Sequence, residues 1–106
     1  MKAIRIHKTV TKELQAINMD LRIQIAELLN LLASGESLGM PVSRPMPSIA
    51  PSVHELRVKD SSGQYRVFYF TKEKEAILVF HFFKKKTQAT PKKELEIAKK
   101  RLRSML

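Results

Sequence analysis

Residues Ala76 to Phe83 read AILVFHFF, an almost unbroken apolar run of strand length, rich in β-branched and aromatic side chains. Polar residues bound it on both sides, Lys72 to Glu75 before and Lys84-Lys85-Lys86 after. A strand with no polar face must be covered on both sides, so the run predicts a central strand with other elements packed above and below it. A chain of 106 residues has room for one such core. Its 43% apolar and 28% charged content is that of a globular domain, not of a disordered tail.

The rest of the pattern supplies the cover. Ile4 and Ile6 share one side of a short strand within Met1 to His7. Val10, Leu14 and Ile17 recur at helical spacing, and Thr9 or Thr11 is the expected cap of a helix running through Asn18. Asn18 and Asp20 offer a second cap. Leu21, Ile25, Leu28, Leu29 and Leu32 then form one apolar stripe that stops at Ser34-Gly35. Residues 36 to 52 hold four of the five prolines and keep no period, which predicts a surface crossover. Val53 to Lys59 and Tyr65 to Thr71 precede the apolar run as two further strands, separated by the turn Asp60-Ser61-Ser62-Gly63. Their short connections imply an antiparallel meander. Thr90 as cap and Pro91 as first residue open a last helix whose buried stripe is Leu95, Ala98, Leu102 and Met105. The expected order is β-α-α-β-β-β-α, a small single α+β domain with an antiparallel sheet.

Charge narrows the function. Twenty Lys and Arg against ten Asp and Glu give +10, which implies a polyanionic partner: nucleic acid, an acidic protein or, less often, an anionic membrane surface. Nine cations against two carboxylates lie from Lys84 onward, seven of the ten surplus charges. Lys99 and Lys100 read as a solvated helix face, whereas the Lys84–Lys86 run ends a strand and reads as a site for backbone phosphates. Arg66 stands in a half-buried strand among Tyr65, Val67, Phe68 and Tyr69. An arginine there must meet an anion, either Glu55 on a neighbouring strand or a ligand. Alternation puts Glu55, Arg57 and Lys59 on one face, so Arg57 and Lys84 weigh toward the ligand. His81, between Phe80 and Phe82, is a packed residue by default and a proton donor by chemistry. His7 and His54 read as structural or surface residues. The absence of cysteine excludes disulfide scaffolds, thiolate zinc sites and cysteine nucleophiles, and the three histidines lack metal-binding spacing. With no secretion signal and no membrane-length apolar stretch, a soluble cytoplasmic protein is expected.

Four stretches together resemble one known family: His54-Glu55-Leu56-Arg57-Val58; Gly63-Gln64-Tyr65-Arg66-Val67-Phe68-Tyr69; His81 through Gln88; and Thr90-Pro91 with Glu94 to Ala98. In this order they resemble the RelE/ParE toxin superfamily, in its HigB-like branch of phage-derived Gp49-like proteins. The resemblance implies a RelE-like fold and the toxin of a type II toxin–antitoxin pair. Such a toxin enters the ribosome and cuts messenger RNA without a metal or other cofactor, by attack of a ribose 2′-hydroxyl on the adjacent phosphate. It further implies that Arg57 stabilises charge, since arginine is a poor base. Arg66 would brace the scissile phosphate, and Lys84 or Lys85 would be the basic residue just beyond the last strand. No tyrosine follows the Lys84–Thr90 loop, so His81, or failing that Tyr69, is left as the acid. Lys59, Lys85, Lys86, Lys92 and Lys93 would contact RNA backbone. The implied partners are the ribosome, its message and an antitoxin of helix-turn-helix type. Relatives in the superfamily also allow a gyrase poison of ParE type, or an inactive member that only binds RNA or its antitoxin.

Overall fold

The computed structural model describes all residues from Met1 to Leu106. In chain order the elements are β1 (Ala3–Ile6), α1 (Lys8–Ala16), α2 (Met19–Ala33), β2 (Ser43–Pro45), β3 (Val53–Asp60), β4 (Gly63–Phe70), β5 (Ala76–Lys85) and α3 (Lys92–Met105). They form an α+β domain around one five-stranded sheet of order β1-β5-β4-β3-β2. No helix is long and apolar enough to cross a membrane.

Three points correct the sequence reading. The sheet is mixed: β3, β4 and β5 form the expected antiparallel meander, but β1 lies parallel to β5. Two helices separate β1 from the meander, so the short-hairpin argument never constrained its direction. The proline-rich crossover also holds an edge strand, β2, paired antiparallel with His54–Leu56 of β3. Proline is tolerated at a sheet edge, and β2 ends on Pro45. Finally β4, not β5, is the middle strand, although β5 has neighbours on both sides.

Both faces of the sheet are covered, as the apolar run requires. On one face Val10, Leu14, Leu21, Ile25, Leu29 and Leu32 of α1 and α2 meet Leu56, Val58, Val67, Tyr69, Ile77, Val79 and Phe82. On the other, Ala98 and Leu102 of α3 meet Val53, Phe68, Ala76, Leu78, Phe80 and Phe83. Strict alternation along β5 would put Phe80 and Phe82 on the same face. A bulge prevents it: Phe68 pairs with His81 while Tyr69 pairs with Val79, leaving Phe80 extra. The bulge resets the side-chain phase for the end of β5. Phe83 and Lys85 therefore face the α3 side, and Phe82 and Lys84 the opposite side.

Helix ends follow local chemistry. His7, not Thr9 or Thr11, caps α1, its Nδ1 accepting from the Thr9 N–H at 3.2 Å. Asn18 caps α2, its Oδ1 accepting from the Leu21 N–H at 2.9 Å, while its amide also donates to Asp60 at the β3–β4 turn. Thr90 does not cap α3. The Glu94 and Leu95 N–H groups bond to the Pro91 carbonyl instead, and the buried Thr90 hydroxyl has no partner. Asn18→Ala is therefore expected to cost about 1 kcal/mol of stability. Thr90→Val, which deletes an unpaired buried hydroxyl, is expected to cost nothing or to stabilise. Urea midpoints of the two variants test both statements.

Candidate functional site

α3 covers only part of its face of the sheet. Beyond Phe83, toward the β3–β4 turn, the same face is open and carries the strand arginines. There a cavity of about 550 Å³ is lined by Arg57, Gly63, Gln64, Arg66, Lys85, Lys86, Thr87 and Gln88, with no hydrophobic residue among them. Register explains the convergence. Arg57 of β3 and Arg66 of β4 sit directly opposite each other, and Lys85 of β5 lies opposite Gln64. Like charges directly opposite destabilise a sheet, so this arrangement needs a compensating anion.

Glu55 supplies it. Its side chain is 1% exposed, and its Oε1 lies 3.7 Å from Nε of Arg66 and 3.5 Å from Nε of Arg44 on β2. Neither carboxylate oxygen of Glu55 makes a hydrogen bond, so the group is held by charge alone. Arg66 is 3% exposed. Its guanidinium donates to the Tyr65 carbonyl at 3.1 Å and to Gln64 Oε1 at 3.2 Å, which fixes its plane. Burial lowers the Arg66 pKa, Glu55 opposes that shift, and Arg57 and Arg44 reinforce it. Of the two partners expected for Arg66, the ion pair with Glu55 is formed, and the same residue also lines the cavity. Arg44 and Arg66 pair with this one carboxylate, and with Arg57 and Lys85 nearby the local excess is positive.

Lys85 belongs to this cluster. Partial burial lowers its pKa first, then repulsion from Arg66, against the pull of Glu55 and with smaller pushes from Arg44 and Arg57. Lys84 does not join it. One residue earlier in the strand, it lies on the opposite face, with Nζ 5.9 Å from the centre of the Tyr65 ring. Its stem crosses Gly63, where φ is +149° and a Cβ would stand 2.7 Å from Lys84 Cε. Glycine there allows both the backbone angle and the passage of the lysine.

The proposed acids also lie elsewhere. His81 is 4% exposed and faces α3: its Nε2 lies 2.7 Å from Glu94 Oε1, and its Nδ1 lies 3.0 Å from Nη1 of Arg101. A guanidinium can only donate, so Nδ1 accepts and the single N–H at Nε2 goes to Glu94. Both ring nitrogens are engaged in fastening α3 to β5. Tyr69 is buried on the α1–α2 face, with its hydroxyl 2.6 Å from Ser43 Oγ. His54 stacks on the Tyr69 ring, and His7 is the helix cap already described. Of the remaining lysines, Lys86 walls the cleft and also a neighbouring hollow lined by Lys84, Lys93 and His81. Lys59 rims another adjoining hollow, and Lys92 is exposed at the start of α3. Sequence reading missed Arg44, Gln64, Thr87 and Gln88. Arg44 was hidden in the proline-rich segment, where nothing in the pattern announces an edge strand.

Removing Glu55 leaves Arg66 buried without its counter-ion. Glu55→Leu is expected to cost about 3–5 kcal/mol, and the double variant with Arg66→Met to recover most of it. Denaturant titration of the single and double variants measures this. Burial is the largest cause that lowers the His81 pKa, with Arg101 adding to it against the Glu94 hydrogen bond. A histidine depressed in the folded state takes up its proton more readily when unfolded. Stability should therefore hold above its ordinary pKa of about 6.5 and fall as pH drops below that value. The slope should be shallower in His81→Gln, as thermal melts across that pH range would show.

Comparison with known proteins bears on the fold and on the family. A double-arginine mutant of the E. coli toxin RelE, in the free state, superimposes with a TM-score of 0.68 at 15% sequence identity, over 99% of this chain and 98% of that one. That likeness establishes the RelE fold. No curated protein sequence matches the chain. Residues 12–103 match the sequence model of the phage-derived Gp49-like proteins, a span that takes in both helical layers, the meander and every residue of the cleft. On that match the chain belongs to the phage-derived Gp49-like protein family.

Proposed function

We propose that this protein is the toxin of a toxin–antitoxin pair and acts as an endoribonuclease on messenger RNA at the ribosome. The observation that supports the reading most strongly is the convergence of Arg57, Arg66 and Lys85 on one polar cleft. Attack by the 2′-hydroxyl forms a 2′-oxygen–phosphorus bond, builds extra negative charge on the non-bridging phosphate oxygens and breaks the bond to the 5′-oxygen. Two guanidiniums across a strand pair, one locked by Glu55, Gln64 and a backbone carbonyl, form a rigid donor set for that charge. Such preorganised donors cost little reorganisation during reaction. A family toxin would be masked by a cognate antitoxin, and the cationic cleft is a surface an acidic segment of such a partner would cover.

In this reading Lys85 donates the proton to the leaving 5′-oxygen, and the 2′-hydroxyl proton is lost to solvent water. Arginine does not give up its proton, and His81 and Tyr69 are engaged away from the cleft. A lysine whose ammonium is already destabilised by burial and by Arg66 is the better acid toward the leaving 5′-oxygen. Lys84 and His81 take structural roles. Lys86 extends the phosphate track, with the more distant Lys59, Lys92 and Lys93 adding long-range attraction that salt screens.

Induced expression is expected to arrest growth and to produce cuts within translated messages, mapped by sequencing of 5′ ends. Arg66→Ala and Lys85→Ala are each expected to lower cleavage by about 10²–10³-fold, the scale of losing one transition-state donor. Lys84→Ala is expected to stay within a few-fold of the parent. Intact messages with a DNA-damage response would contradict this and favour the gyrase-poison reading, and absence of any growth effect would favour an inactive binder.

A further inference from the structure

The cleft continues past its arginines. Arg57, Gln64 and Arg66 form a wall between two hollows, and the second, of about 370 Å³, has a different lining. Its apolar surface comes from Pro41, Val42 and Val58. Next to it Met40 is 62% exposed, and its Sδ lies 3.8 Å from Nη1 of Arg57. A large exposed thioether lying against a guanidinium at the mouth of an otherwise polar cleft forms an apolar lip beside a charged seat. Gln64 adds polarity of one kind only. Its Oε1 accepts from Arg66, so the amide nitrogen is the end left free, and it can only donate.

We propose that this second hollow is a nucleobase subsite, in which the base of a nucleotide adjoining the clamped phosphate packs on Met40, Pro41 and Val42 and accepts a hydrogen bond from Gln64. The inference rests on the reading of the main cleft as a phosphate seat. The physical fit is specific to a nucleotide chain. A strand whose phosphate lies between Arg57 and Arg66 must place its next base within one nucleotide of that shared wall. A base needs an apolar surface for its face and a donor for its edge, and both are present there. Polarizable sulfur and the apolar proline ring suit a base face of any identity, so the subsite adds affinity, while Gln64 favours bases that present acceptors. A protein partner's apolar side chain is the competing occupant, and it would make the lip indifferent to RNA.

The test is binding of a short single-stranded RNA made uncleavable by 2′-O-methyl ribose, followed by fluorescence anisotropy. A matched chain is abasic at the nucleotides flanking its central phosphate. The parent protein is expected to bind the complete chain on the order of ten-fold more tightly than the abasic one. Met40→Ala is expected to lose that difference while binding the abasic chain as the parent does, and Met40→Leu to restore it. Met40 is exposed, so the fold should survive both changes, which a thermal melt checks. Equal binding of the two chains by the parent, or an unchanged difference in Met40→Ala, would overturn the subsite while leaving the phosphate seat standing. Failure of the parent to hold either chain would overturn both.

Discussion

A carboxylate with almost no exposed surface, 3.5–3.7 Å from two guanidiniums and free of hydrogen bonds, is the unusual interaction on which the rest of this protein is arranged. Burying Glu55 alone would be expensive, and burying Arg66 alone would be equally so. Together they hold each other in the sheet, with Arg44 on the edge strand closing the group from outside. The pair adds little net stability compared with an apolar pair of the same volume, as is general for buried ion pairs. What it provides is a fixed guanidinium plane at the floor of an open face, with Arg57 opposite it and Lys85 beside it. A protein selected only for stability would have little reason to gather Arg44, Arg57, Arg66 and Lys85 in one region with a single buried acid.

The sheet makes this possible by being covered unequally. α1 and α2 cover one face, while α3 covers only part of the other and leaves the end beyond Phe83 open. The β5 bulge decides which lysine meets the arginines. Without the extra residue at Phe80, Lys84 would share a face with Arg66, and Lys85 would turn to the opposite face. His81 falls at the same bulge and is turned toward α3, where Glu94 and Arg101 take up both ring nitrogens. One local irregularity thus assigns three residues that differ little in a linear reading.

Much of the fold was legible in the sequence, because it rests on short-range rules. Helical spacing from Val10 to Leu32, the Asp60–Gly63 turn and the apolar run each carry their structure within a few residues. The direction of β1 and the existence of β2 depend on partners far along the chain, and no local pattern encodes them. For the site the same division holds. Arg57 and Arg66 stand out as cations in strands that are otherwise apolar or alternating. Choosing between Lys84 and Lys85 needed the bulge, which alternation alone cannot reveal. His81 drew attention for its chemistry, but a histidine's role depends on what faces its two nitrogens. Arg44 gave no signal, since its value comes wholly from lying across from Glu55.

The central claim is that Arg57, Arg66 and Lys85 jointly seat a phosphodiester. Its most direct measurement is nuclear magnetic resonance of the guanidinium and ammonium groups during titration with an uncleavable RNA. The account predicts large, saturable shifts at the Nε–Hε signals of Arg57 and Arg66 and at the Lys85 ammonium, with one shared dissociation constant. Shifts confined to the lysines of α3, with the strand arginines unmoved at saturation, would contradict it.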